Sequence, residues 1–291
     1  MTVDLTSAAD FMATHARVLD RLRFDALLGS GDHAGLLPAV NAYRNPDGGY
    51  GWGLEPDLRS PESQPGAALH AFEVFAELAP AVAVQAEQLC DWLETVTLPD
   101  GGLPFSLPLT VRAGTAPWWG GGDATTSSLQ ITAVSAAAAL RVPSVAGHPW
   151  LARAIRYCLD AVRALDTRPH AYVLSFAIHF LDAVHHREPE AAALLDGLAK
   201  LIPDSGEIPV EGGTADEKLT PLDLAPHPDR PARALFTPAQ IEADLDRLAA
   251  AQKADGGWTV EYAKISPAGA LEWRGVATFN AVDVLRRNGR L

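Results

Sequence analysis

Cysteine is scarce in this chain, with Cys90 and Cys158 the two among 291 residues. Neither belongs to a C-x-x-C pair, so a disulfide framework and a zinc-ribbon site are excluded. Basic residues are also few: 23 Lys plus Arg face 36 Asp plus Glu, for a formal charge of −13. Such a chain repels polyphosphate at long range, which excludes wholesale nucleic-acid binding and leaves room only for a local pocket around a small anion. No uncharged apolar stretch reaches the ~18 residues of a membrane span. The least charged run, 124–140, carries Thr125, Thr126, Ser127, Ser128, Gln130, Thr132 and Ser135, which suits a buried helix. Asp4, Asp10 and Asp20 interrupt the N-terminal region, which lacks the apolar core of a signal peptide. The expectation is a cytoplasmic protein without an integral membrane segment.

Familiar catalytic signatures are missing too. There is no H-E-x-x-H and no D-D-x-x-D. Gly120-Gly121-Gly122 precedes Asp123 without the Lys-Ser/Thr of a phosphate loop. Ser127 and Ser128 have no evident His partner, and His185-His186 reads as a helix end. No metal and no cofactor are expected.

Hydrophobic residues are plentiful, at 48% against 20% charged, enough for a substantial core. A turn recurs through the chain: Asp47-Gly48-Gly49, Asp100-Gly101-Gly102, Asp255-Gly256-Gly257 and a degenerate Asp204-Ser205-Gly206. The steps are 53, 104 and 51 residues, so the period is near 50, with one copy missing near position 152, at His148-Pro149-Trp150. A fixed period of this size marks stacked supersecondary units. The glycines tolerate positive φ, and Asp bonds following amides.

The segments before the turns are amphipathic. Pro238–Gln252 aligns Ile241, Leu245 and Leu248, and Val84–Val96 aligns Leu89, Trp92, Leu93 and Val96. Leu151–Leu165 aligns Leu151, Ile155, Cys158, Leu159 and Val162 against Arg153, Arg156, Asp160 and Arg163. The intervening helices, 124–140, 171–181 and 276–285, are nearly free of charge and must be buried on most faces. Half-buried helices alternating with fully buried ones describe two concentric layers. The expected fold is therefore all-α, an α/α toroid of about five helical hairpins in one domain, 1–291, with a long loop at about 203–237. An open α-solenoid shares the pairing but would need a longer array with polar capping repeats.

Gln252-Lys253-Ala254-Asp255-Gly256-Gly257-Trp258 fits Q-x-x-x-G-x-W. It resembles the QW repeat of squalene–hopene and related class II terpene cyclases, and the turns are similar to the Gly-Gly-aromatic turns of protein prenyltransferase β-subunits. Stretches such as DGGYGWGLEPDLRSPESQP also resemble a bacterial group of the same superfamily. The resemblance implies a toroid of inner and outer helices enclosing an apolar or amphiphilic ligand. Arg44 and Thr97 stand where Gln252 stands in the last copy, and the cyclase acid motif D-x-D-D is absent.

In a toroid the inner-helix N-termini and their loops converge on one rim. Glu55, Asp57 and Asp223 are the candidate acids for proton-initiated chemistry, which needs a carboxylic acid kept neutral. Trp52, Arg59, Trp118, Trp119, Asp123, His170, Tyr172, Trp273 and Arg274 are expected around the pocket mouth, with Phe176, Phe72 and Phe279 deeper. Aromatic faces there would steady a cation. The same acids serve equally well as helix caps or arginine partners. Three functions stay open: a cyclase or isomerase acting on an isoprenoid or other apolar substrate, a non-catalytic module binding a small lipid, sugar or peptide, and a carbohydrate-processing enzyme using paired carboxylates. The sequence does not define the oligomeric state.

Overall fold

The computed structural model describes residues 3–31, 33–262 and 264–291; Met1, Thr2, Asp32 and Ala263 lie outside the described residues. In chain order the helices are α1 (Leu5–His15), α2 (Val18–Leu28), α3 (Leu36–Asn41), α4 (Pro65–Glu77), α5 (Val84–Val96), α6 (Pro117–Gly120), α7 (Leu129–Ala139), α8 (Pro149–Arg163), α9 (Ala171–Val184), α10 (Ala191–Ala199), α11 (Pro221–Leu224), α12 (Pro238–Ala250) and α13 (Pro267–Arg287). A two-residue antiparallel pair, β1 (Ile208–Pro209) and β2 (Lys218–Leu219), forms a sheet within the 203–237 region. That region, expected as a long loop, also contains α11 and a short 3-10 turn.

The all-α toroid is the observed fold. Helices α1, α3, α5, α8, α10 and α12 form the outer layer, and α2, α4, α7, α9, α11 and α13 the inner one. This makes six hairpins among the described residues. The additional pair, α1–α2, is joined by only Ala16 and Arg17 and carries no Asp-Gly-Gly turn to mark it. Helix α7 shows why the inner layer needs apolar composition: every residue from Ile131 to Ala139 is buried. Outer helix α8 buries one stripe, Leu151, Ala154, Ile155, Cys158, Leu159 and Val162, and leaves its arginines outside. The irregular copy near 152 is also explained. The loop 103–128 is long, so His148 lies at the start of α8, where it caps the Trp150 amide, and the connection to the inner helix falls at 164–170.

The glycine turns link neighbouring hairpins. A Cβ at Gly48 would sit 3.0 Å from the Gln88 carbonyl of α5, and one at Gly101 3.0 Å from the Arg153 carbonyl of α8. At Gly256 the same test meets the Ser7 carbonyl of α1 at 2.0 Å. The last turn therefore docks on the first helix, and the ring closes. Gln252 completes the closure: its Oε1 accepts from the Asp4 amide at 2.9 Å, and its Nε2 donates to the Asp4 carbonyl at 2.8 Å. Trp258 stays within its own hairpin, donating from Nε1 to the Leu248 carbonyl at 2.8 Å. Phe72, expected deep in the central pocket, instead stacks on Trp150 between the two layers, with ring centroids 6.0 Å apart. No helix among the described residues is long and apolar enough to cross a membrane.

Candidate functional site

The segment Glu55-Pro56-Asp57 is pinned from three sides. Arg17, the residue before α2, donates from Nη1 to the carbonyls of Gly53 and Leu54 at 3.1 and 2.9 Å. Ala116 donates its amide to the Asp57 carbonyl at 2.8 Å. The Pro56 carbonyl rests on Gly269 in the first turn of α13, only 2.8 Å from where a Cβ would stand. Gly269 and Trp273 are four residues apart on one helical face, so this seat brings Asp57 to the Trp273 indole. Both acids are buried, each 6% exposed.

The environment of Asp57 is unusual for an acid. Burial, reinforced by the neighbouring Glu55 charge, pushes its pKa up to about 6; Trp273 acts in the opposite direction. The Trp273 Nε1 atom is buried, and its contact with the Asp57 carboxyl is not a well-directed hydrogen bond. Its ring lies edge-on to His70 and to Tyr262, at 6.3 and 5.1 Å. Burial, reinforced by the charges of Glu55, Asp57 and Glu217, raises the Tyr262 pKa and keeps its phenol protonated.

On the opposite wall, α4 contributes a polar stripe to an otherwise apolar helix. His70 Nε2 lies 2.9 Å from Glu55 Oε2, and Nδ1 lies 3.3 Å from Glu73 Oε2. Burial alone would lower the His70 pKa, but the two carboxylates outweigh it and raise it to about 9. Glu73 falls to about 2: burial opposes ionisation, but His70 and Arg23 overcome it. Arg23 of α2 donates to both Glu77 oxygens at 3.0 and 2.7 Å and stacks over Phe279 at 4.3 Å. Burying such pairs costs several kcal/mol per ion, and well-packed apolar residues are often the more stable choice. Charges in this position therefore argue for a polar interior put to use.

The far side comes from α9 and the 203–237 region. Tyr172 donates to Glu217 Oε1 at 2.9 Å, and the Thr214 amide donates to Oε2 at 3.0 Å. Tyr172 is followed by Phe176 and His179 in one row of neighbouring rings. His179 bonds the Asp223 carbonyl at 2.9 Å. Asp223 keeps an accessible side chain, yet burial raises its pKa. A groove of about 570 Å³ lined by Pro228, Arg230, Pro231, Phe236 and Ile241 shares no residue with this cluster and takes no part in its chemistry.

Of the residues singled out from sequence, Glu55, Asp57 and Trp273 come together, while Tyr172 and Phe176 form a row of rings with His179 beside Glu217. Trp119 stacks on Phe105 and packs over Gly66 of α4. Arg59 stands at the edge, bound through Nη1 to Glu272 at 2.6 Å. Asp223 lies beside His179, and its carboxylate is engaged in a capping box with Thr220.

The others are not brought to the cluster. Trp52 is 57% exposed and bonds Asn45, and Trp118 is 43% exposed. Asp123 is spent on its own turn, accepting from Thr125 and Thr126. His170 is exposed, caps α9 and faces the Glu211 carbonyl. Arg274 points outward, clamping Asp255 at 2.9 and 2.7 Å and lying over Phe11. His70, Glu73 and Arg23 escaped notice in the sequence. Their signal was spacing, since His70, Glu73 and Glu77 recur on one face of PGAALHAFEVFAE. Among the described residues, no group of three or more His, Cys, Asp or Glu side chains is arranged to hold a metal ion.

The chain has a terpene cyclase-like fold. It superimposes on the type II terpene cyclase MstE from Scytonema, solved as a variant in complex with its substrate geranylgeranyl dihydroxybenzoate, with a TM-score of 0.53. The sequences are 14% identical and the match covers 97% of each chain. A protein from Actinoplanes matches with a TM-score of 0.58 at 16% identity, over 98% of each chain. No protein-family model matches, and no curated protein is similar in sequence.

Proposed function

We propose that the interior of the ring is the active site of a terpene cyclase-like enzyme. In this reading residues 1–291 act as one toroid domain, and Asp57 starts cyclisation or isomerisation of an isoprenoid or similar apolar substrate by protonation. The observation that carries the proposal is the buried Asp57 carboxyl with its pKa raised to about 6, set beside Trp273, which in turn packs edge-on against Tyr262. About one molecule in ten then holds the proton at pH 7, far more than an ordinary aspartate would.

The step balances without a co-reactant. The Asp57 proton forms a new C–H bond with one alkene carbon, using the π electron pair, and the adjacent carbon becomes cationic. A second alkene of the same molecule captures the cation, or a neighbouring C–H gives up its proton. The final deprotonation returns a proton to Asp57 directly or through water, so the product is an isomer. Aromatic faces at Trp273, Tyr172 and Phe176 favour the cation, by up to about 2 kcal/mol each when desolvated. Glu55 disfavours ionisation of Asp57, and the His70 imidazolium holds Glu55 in place. These two are positioning residues. A neighbour in the same fold solved with a prenylated substrate supports an apolar ligand.

The test is incubation with a panel of isoprenoids and their diphosphates, read by mass spectrometry. Conversion by the wild type that disappears in Asp57→Asn and persists in Asp123→Asn supports the reading. A ligand retained from the host and never converted would support the non-catalytic binding module instead.

A further inference from the structure

The groove of about 570 Å³ beside outer helix α12 has the size of a small-molecule site. One wall is the 3-10 turn Pro231–Leu235. The Arg233 amide donates to the Arg230 carbonyl at 3.1 Å, and the Phe236 amide to the Arg233 carbonyl at 3.3 Å. Three residues complete a 3-10 turn, so side chains at this spacing fall on one side. Arg230, Arg233 and Phe236 all line the groove, with the two arginines ~6 Å apart along the turn. Pro238 and Ile241 of α12 supply apolar surface opposite. Neither arginine has a carboxylate partner within 4 Å among the described residues. Arg233 donates from Nη2 to the Pro226 carbonyl at 3.0 Å, and burial lowers its pKa with no anion opposing the effect. Arg230 acts on the buried Asp182 without pairing with it. Two acids also line the groove, but Glu242 is bound to Arg290 at 2.5 Å, which leaves Asp229 against two arginines. In a chain of net charge −13 this local excess of cation is opposite in sign to the whole.

We infer that this groove binds a small organic phosphate, with its oxyanion held by Arg230 and Arg233 and its apolar body against Phe236, Pro238 and Ile241. The planar guanidinium fork matches phosphate oxygens two at a time, and a pair of such groups suits a dianion better than the single charge of a carboxylate. The apolar wall leaves bare inorganic phosphate an incomplete ligand, and an uncharged apolar molecule leaves both arginines unmatched. The site shares no residue with the cluster around Asp57 and does not depend on the proposed reaction.

The probe is phenyl phosphate, titrated into the full-length protein at low salt and followed by isothermal titration calorimetry, with inorganic phosphate and phenol titrated in parallel. Phenyl phosphate should bind about ten-fold more tightly than either fragment. Arg230→Gln should weaken its binding about ten-fold with the melting temperature unchanged, because the Arg230 guanidinium makes no hydrogen bond among the described residues. Arg233→Gln should weaken it as much, although it also removes the bond to Pro226. Asp229→Asn should tighten binding about three-fold by removing the opposing charge, and sodium chloride should weaken it. A merely structural role for these residues would not produce opposite effects at 229 and 230. No binding of phenyl phosphate at millimolar concentration would overturn the inference. So would binding that is unchanged in Arg230→Gln, which would put the ligand elsewhere on the protein, or binding weakened by Asp229→Asn.

Discussion

His70 Nε2 lies 2.9 Å from Glu55 Oε2, with both residues less than a tenth exposed, in the interior of a closed ring of helices. Glu73 faces the other ring nitrogen, so the imidazole meets a carboxylate on each side. The protonated form satisfies both, which is why its pKa rises despite burial. Asp57, two residues beyond Glu55, receives no such cation, and burial with the Glu55 charge raises its pKa to about 6.

The His70 pairing makes stability depend on pH. The folded pKa is about 9, above the ordinary value of 6.5. The contribution is full below pH 6.5 and is lost as pH rises through 9, for a total of about 3 kcal/mol before coupling to Glu55 and Glu73 reduces it. Urea unfolding at pH 6, 8 and 10 should show declining stability in the wild type. In His70→Gln the decline should flatten, and stability at pH 6 should be lower by about 2–4 kcal/mol. A wild-type curve with no slope between pH 7 and 10 would refute the pairing.

Asp57 has the same sign and a lower window. Its folded pKa of about 6 exceeds the ordinary 3.8, so its contribution is full below pH 3.8 and gone above pH 6. At pH 8 the chain holds a disfavoured buried charge. Asp57→Asn removes that charge and should stabilise the protein at pH 8 by about 1–3 kcal/mol, with little effect at pH 4. Paired denaturant melts of variant and wild type at the two pH values decide the matter. Destabilisation at pH 8 would mean that the carboxylate is satisfied after all.

Ring closure depends on backbone contact at Gly256. Its φ of 89° and its approach to the Ser7 carbonyl leave no room for a side chain. Gly256→Ala should cost at least about 3 kcal/mol and loosen α1 specifically. Hydrogen exchange should show faster exchange in 5–15 than in α7. Gln252→Ala, which removes the bonds to Asp4, should have a milder effect of about 1–2 kcal/mol in the same place. Uniform exchange changes across all hairpins would contradict a closure at this joint.

The parts of the fold legible in the sequence were those governed by local rules. Asp-Gly-Gly turns show themselves because only glycine fits where a backbone presses on the next helix, as at Gly48 and Gly101. The charge-free helices show themselves because the inner layer is buried on most faces. The α1–α2 hairpin was missed because two residues between helices need no special turn chemistry. The site was half legible. Asp57 and Glu55 stand out in a loop, but His70 and Glu73 sit in an apolar helix and gain meaning only when the ring brings α4 against 55–57. Arg274 and Asp123 look like site residues in sequence, yet each is used by the nearest turn, and short-range electrostatics prevailed over the expected convergence.

The most direct test of the account is protonation at carbon by Asp57. A converted isoprenoid should be re-run in deuterium oxide and the product mass determined. If Asp57 delivers a solvent-exchanged proton and a different hydrogen is lost, the product is heavier by about one mass unit, from one deuterium held at carbon. The account predicts that Asp57→Asn abolishes formation of this labelled isomer while Asp123→Asn leaves it intact. Labelled product formed at the wild-type rate by Asp57→Asn, or no labelled product from any isoprenoid tried, would contradict it.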